Sequence, residues 1–214
     1  MESIARKLLL TGELRQRAEA AHLLLSCCTL CPRRCRVDRL GGETGICRTA
    51  AQARIASYGP HFGEEAPLVG SRGSGTIFVA GCNLCCCFCQ NYDISQGEEP
   101  AQEVTDHEFA AIMLELQAMG CHNINLVTPS HVVPQILAAL IPALENGLDI
   151  PLIYNCSGYE SLETLALLAG VWTYTCRMPN FGSRRPPPAT PVPPTIRSGC
   201  GRRCWRCNAR SEPW

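Results

Sequence analysis

The chain has no net charge, no long apolar run and no apolar leader. Its 19 Lys+Arg balance 19 Asp+Glu over 214 residues. No window approaches the roughly 18 consecutive apolar residues of a membrane span. The patch Leu8-Leu9-Leu10 follows Arg6 and Lys7 and is itself followed by Glu13, Arg15 and Arg17, which leaves it too short for a secretory leader. These absences predict a cytoplasmic protein without a membrane partner. The cytosol keeps thiols reduced, so the 16 cysteines point to metal or cluster ligation rather than to a disulfide framework.

The zero charge hides a split. Residues 1–171 hold 11 Lys+Arg and 18 Asp+Glu, whereas residues 172–214 hold 8 Arg, one acid and 8 of the 16 prolines. A composition shift this abrupt separates a folded body from a Pro/Arg-rich tail. With 46% hydrophobic and 18% charged residues, the body can bury a core. We divide the chain into a helix plus Cys-rich segment (1–50), an α/β body (51–171) and the tail (172–214).

Periodicity supplies the elements. Leu14, Ala18, Ala21 and Leu25 recur at helical spacing, which predicts a helix over 12–26. Cys27 to Cys47 follows, with turns at Cys31-Pro32 and Gly41-Gly42 and little apolar content of its own. A short apolar run, Ile77–Ala80, reads as a buried strand. Helices are expected over Asp106–Met119, Val132–Leu144 and Ser161–Leu168, with strands at Asn123–Val127 and Pro151–Tyr154. That alternation implies a parallel sheet with right-handed crossovers. Its strands end on the cysteine loop, on Thr128-Pro129-Ser130-His131 and on Asn155-Cys156-Ser157-Gly158, where parallel α/β folds carry their chemistry.

Cys82, Cys86 and Cys89 form a C-x3-C-x2-C triplet after the first of these strands. Three thiolates are one fewer than a closed four-iron cluster or a structural zinc needs. Together with the words GSGTIF, GCNL, FCQNYDISQ, the upstream YGPHFGEE and the downstream YN-x-x-GYESLETL, the triplet resembles the radical S-adenosylmethionine superfamily. The likeness is to the branch related to pyruvate formate-lyase activating enzyme, over roughly residues 12–171. The resemblance implies a partial, TIM-like (β/α) barrel, here truncated after about three βα units. It implies a [4Fe-4S] cluster on Cys82, Cys86 and Cys89, whose free iron holds S-adenosylmethionine for reductive cleavage to a 5'-deoxyadenosyl radical. Cofactor contacts are expected at Phe88, Thr128, Ser130, Asn155 and Gly158. An electron donor such as flavodoxin or ferredoxin and an unknown protein or small-molecule substrate are implied, with activation of a glycyl radical enzyme as one outcome.

The chain departs from that pattern in places. Cys85 and Cys87 stand where an Arg and a small apolar residue are usual, and Cys156-Ser157 replaces a Ser-Asn pair. Five thiols in the eight positions 82–89 invite wrong ligation or oxidation. Cys28, Cys31, Cys35 and Cys47 can close a second site, read as structural zinc or an auxiliary iron-sulfur cluster, with free thiols as the alternative. Cys27 and Cys121 are spare. His131 is expected to be a capping or surface residue, and His61, Glu64 and Glu65 to form surface salt bridges. Two rival functions remain, a non-enzymatic cysteine-rich zinc or iron-sulfur protein and a nucleic-acid binder using the basic tail; nucleic acid is the less favoured partner.

Cys200, Cys204 and Cys207 repeat the triplet spacing without its context. The resembling family continues after the third helix with a strand G-V-V-D-I-Y-x-P-D-x-K, where this chain reads Gly170-Val171-Trp172-Thr173-Tyr174-Thr175-Cys176-Arg177. Combining the third base of each codon from Trp172 with the first two of the next admits the family's word at every position and forces its first residue to be Asp. We therefore expect residues 172–214 to be read out of frame and disordered. The bare edge left after the third strand predicts poor solubility and little turnover. Sequencing the gene should show the family's strand in the alternate frame; any other reading there removes the frame shift.

Overall fold

The computed structural model describes residues 4–177. Two helices, α1 (Ile4–Leu10) and α2 (Glu13–Leu23), precede the Cys-rich segment. They are followed by β1 (Ala53–His61), α3 (Ala66–Val69), β2 (Ser74–Val79), α4 (Tyr92–Ser95), β3 (Gln102–Val104) and α5 (Asp106–Ala118). The rest is β4 (Ile124–Val127), a 3-10 turn (Pro129–Val132), α6 (Val133–Glu145), β5 (Leu152–Cys156), α7 (Leu162–Leu168) and β6 (Tyr174–Arg177). The fold is α/β.

One six-stranded open sheet runs in the order β3-β1-β2-β4-β5-β6. β2, β4, β5 and β6 are parallel, as the strand-helix alternation requires. The sheet is nonetheless mixed, which corrects the expectation of a purely parallel one: β1 and β3 pair antiparallel on the β2 side. A second correction concerns the edge. β6 pairs with β5 through Ile153–Tyr174 to Cys156–Arg177, so the strand expected to end bare is covered. Residues 178–214, including Cys200, Cys204 and Cys207, lie outside the described residues.

Pairing register separates the two faces of the sheet. Gly75, Ile124 and Leu152 stand in one row and Ile77, Leu126 and Tyr154 in another. Five of these six, all but Gly75, join Phe109, Met113 and Leu116 of α5 and Ile136, Leu140 and Ala143 of α6 in the main core. Gly75 is required by close approach: a Cβ there would lie 3.2 Å from the Cβ of Leu116 and 2.7 Å from the Asn123 carbonyl oxygen. α6 is buried along most of its length because α2 and α5 flank it while the sheet lies beneath. α5 starts on a capping box, in which Thr105 accepts from the Glu108 amide and Glu108 accepts from the Thr105 amide. Among the described residues, no helix is long and apolar enough to cross a membrane.

The core row sets a stability contrast. Leu126 is fully buried whereas Leu162 is 83% exposed. Leu126→Ala should cost about 2–5 kcal/mol in denaturant unfolding, and Leu162→Ala no more than about 0.5 kcal/mol.

Candidate metal and cofactor site

β2 delivers the triplet loop through Gly81, whose φ is +83°. A Cβ at Gly81 would fall 2.2 Å from the carbonyl oxygen of Cys47, so glycine lets the Cys-rich segment press directly on the loop. The loop is tightly turned. Cys85 adopts φ +56°, the Cys89 amide donates to the Cys86 carbonyl at 3.2 Å, and Gln96 Nε2 donates to the same carbonyl at 3.2 Å. The Leu84 amide donates to Cys82 Sγ at 3.4 Å, and Cys89 Sγ lies 3.2 Å from Ser95 Oγ. Cys82, Cys86 and Cys89 are all half-buried. Burial pushes the Cys82 thiol up, against the Leu84 and Cys85 amides, and repulsion from Cys89 and Cys47 adds to the rise.

The Cys-rich segment lies across the strand ends, held there by hydrogen bonds to backbone carbonyls. Arg33 donates to the carbonyls of Asn83 (2.9 Å) and Leu84 (3.2 Å), and its guanidinium lies 5.9 Å from the Tyr159 ring centroid. Asn83 Nδ2 donates to the Tyr159 carbonyl, which ties the triplet loop to the loop after β5. The Leu30 carbonyl accepts from the Ser161 amide and from Thr164 Oγ1 (2.8 Å). Arg48 donates to the carbonyls of Ser95 and Gly97.

Within the segment, Cys28, Cys31 and Cys47 are buried and Cys35 half-buried. The Cys28 thiol is pulled down to about 5 by its hydrogen bond with Cys35, with help from the Leu30 amide and Arg39 against the opposing effect of burial. The same hydrogen bond pushes Cys35 up. Burial raises Cys31, which stands beside the Asn83 side chain and near Cys47. Among the described residues, no three or more His, Cys, Asp or Glu side chains stand together as a metal-ion site. The donor chemistry of both sets nevertheless fits soft-metal or cluster binding, because every candidate ligand is a thiol.

The ends of β4 and β5 meet beside this loop. Thr128 adopts a left-handed conformation (φ 49°, ψ 52°), unusual for a β-branched residue, and its amide donates to the Asn155 carbonyl at 2.7 Å. Ser130 is fully buried and donates to Glu160 Oε1 at 2.5 Å; the Tyr154 hydroxyl approaches the same oxygen at 3.5 Å. Phe88 is 49% exposed, and Gly158, with φ +75°, is exposed. Thr128 and Asn155 are therefore joined, Ser130 is engaged by Glu160, and Phe88 and Gly158 face solvent. His61 Nδ1 lies 3.9 Å from Glu64 Oε1 and accepts from the Gly63 amide at 3.3 Å. An open groove of about 600 Å³ between β1, β3 and α5, lined by Tyr58, Pro100 and Ile112 among others, includes none of these residues.

No family model matches the chain, and no solved structure matches it. Two uncharacterized proteins of Methanocaldococcus jannaschii are similar. One is 32% identical over 161 residues, covering 72% of this chain and 46% of the relative. The other is 27% identical over 157 residues, covering 66% of this chain and 46% of the relative. The chain spans about half the length of the curated relatives it matches.

His131 requires a correction. It is neither a cap nor a surface residue but 2% exposed, with Nε2 3.1 Å from the Ala80 carbonyl. A carbonyl only accepts, so Nε2 carries the proton. Sequence reasoning also missed Arg33, Arg39, Glu160 and Asn125. Arginine beside turn glycines reads as surface, and Asn125 looks like an ordinary strand residue although its amide is buried and unpartnered among the described residues.

Burial depresses His131 to about 4, below the ordinary 6.5. The unfolded chain therefore takes up a proton first, and stability falls as pH drops from about 6.5 towards 4, by about 1.4 kcal/mol per pH unit at most. His131→Gln, which keeps a donor for Ala80, should flatten that slope in urea unfolding across this window. An unchanged slope would assign the acid sensitivity elsewhere.

Proposed function

We propose that this chain is the cofactor-binding part of a radical S-adenosylmethionine enzyme, of the branch related to pyruvate formate-lyase activating enzyme and built on a partial (β/α) barrel. One observation carries the reading. The C-x3-C-x2-C loop leaves the end of a parallel strand next to the loops after β4 and β5, and the Cys-rich segment is fastened over it. Cys82, Cys86 and Cys89 would hold a [4Fe-4S] cluster. Bound there with S-adenosylmethionine, the cluster would supply the electron that cleaves the cofactor to a 5'-deoxyadenosyl radical.

The remaining work falls to the chain. The Leu84 amide donates to Cys82 sulfur and the Ser95 hydroxyl stands within hydrogen-bond reach of Cys89 sulfur, an arrangement that would lower the charge ligating thiolates must bear. Arg33 holds the loop by donating to the Asn83 and Leu84 carbonyls. Phe88 supplies an aromatic face for adenine, while Thr128, Asn155 and Gly158 offer backbone and side-chain contacts at the strand ends. Ser130 acts through Glu160, since its hydroxyl is already committed there. By the same resemblance the electron donor is a flavodoxin or ferredoxin and the substrate a protein or small molecule, with activation of a glycyl radical enzyme as one outcome. Because the chain spans about half of its relatives, substrate contacts would come largely from outside it.

Anaerobic reconstitution with iron and sulfide should load about four irons onto the triplet. Addition of dithionite and S-adenosylmethionine should then release 5'-deoxyadenosine, even if slowly. Cys82→Ala, Cys86→Ala and Cys89→Ala should each lose most of that iron and all cleavage. Metal uptake without cleavage by the unaltered chain would favour the non-enzymatic metal-binding alternative.

A further inference from the structure

Arg39 is fully buried, yet among the described residues no carboxylate pairs with it. Its Nε donates to the Ala50 carbonyl at 3.0 Å and its Nη1 to the His131 carbonyl at 2.9 Å, while Nη2 has no partner among the described residues. A guanidinium is always charged, and burying it without an anion is strongly unfavourable. Carbonyl dipoles offset part of that cost. The remaining contact is Cys28 Sγ, 3.9 Å from Nη1.

Cys28 belongs to a small hairpin. Its amide donates to the Val37 carbonyl and its carbonyl accepts from the Arg36 amide, with an inner turn closed by the Arg34 amide on the Cys31 carbonyl. This brings Cys28, Cys31 and Cys35 round one short loop. Gly45 lets the turn leading to Cys47 press on that loop, since a Cβ there would lie 2.7 Å from Cys35 Sγ. Four thiolates around a zinc ion, or around a four-iron cluster in its oxidised state, carry a net double negative charge. Such a centre is the anion that the buried arginine lacks.

We propose that Cys28, Cys31, Cys35 and Cys47 form a metal-thiolate centre distinct from the triplet, and that Arg39 is its buried counter-cation, a positioning residue that ties the centre to the loop after β4. The proposal rests on the second cysteine set of the functional reading and makes Arg39 part of it. Metal loading draws the four sulfurs together against the Arg39 side chain, and the centre's charge repays the burial of the guanidinium.

The test uses the full chain with Cys82, Cys86 and Cys89 all changed to Ser, so its outcome is independent of S-adenosylmethionine cleavage. One arm titrates the metal-free protein with Co²⁺ and Zn²⁺; the other reconstitutes it with iron and sulfide, and the arm that loads identifies the metal. The parent should bind one centre per chain, with thiolate-to-metal charge-transfer absorption. Arg39→Met should weaken binding roughly 10- to 100-fold, and Arg39→Lys, which keeps the charge, should recover most of it. Thermal unfolding supplies a readout that a merely structural arginine would not give. Arg39→Met should lower the midpoint of the loaded protein by clearly more than that of the metal-free protein, in which only the hydrogen bonds to the Ala50 and His131 carbonyls are lost. Three results would overturn the proposal: no metal bound by the parent, equal affinity in Arg39→Met, or equal destabilisation of the loaded and metal-free forms.

Discussion

The described structure depends on arginine side chains donating to backbone carbonyls across the ends of the parallel strands. The Cys-rich segment has almost no core of its own; Leu25, Cys28 and Leu30 are its buried cluster, with Leu24 and Val37 packed against them. Fixing its backbone costs conformational entropy that so few apolar contacts cannot offset. Arg33, Arg39 and Arg48 supply the missing cohesion by bridging to Asn83 and Leu84, to Ala50 and His131, and to Ser95 and Gly97. Hydrogen bonds from a charged donor are stronger than neutral ones, and planar guanidinium forks fix direction as well as distance. The exposed pair Arg34–Glu163 adds little beside them.

That fastening explains why the two cysteine sets are neighbours although they lie far apart in sequence. Gly81 lets the Cys47 carbonyl seat against the start of the triplet loop, and Cys47 is close enough to both Cys31 and Cys82 to oppose their ionisation. Burial works in the same direction. Thiols gathered this closely in a low-dielectric setting ionise together only if cations join them, which supports the metal or cluster chemistry proposed for this end of the sheet.

Much of this was legible in sequence. The strand beginning near Ile77, the helices of α5, α6 and α7 and the strands β4 and β5 follow from strong periodicity and differ from expectation by a few residues at their ends. β1 was not, because Gly59-Pro60 interrupts its pattern; Pro60 is tolerated because β3 covers only Ala53–Ile55 of the open side of β1. β3 has three residues, too few for any period. The cysteine spacing located both candidate sites, whereas Arg39 and Glu160 became visible only through burial and partners, since their significance is set by tertiary neighbours rather than by local pattern. His131 was misread for the same reason.

The claim on which the functional reading turns is that a cluster on Cys82, Cys86 and Cys89 keeps one iron open to S-adenosylmethionine. Electron paramagnetic resonance of the anaerobically reconstituted, dithionite-reduced chain tests it most directly, with and without the cofactor. A reduced four-iron signal whose shape changes when S-adenosylmethionine is added is the expected result. A signal indifferent to the cofactor, or one that persists unchanged in Cys82→Ala, would contradict it.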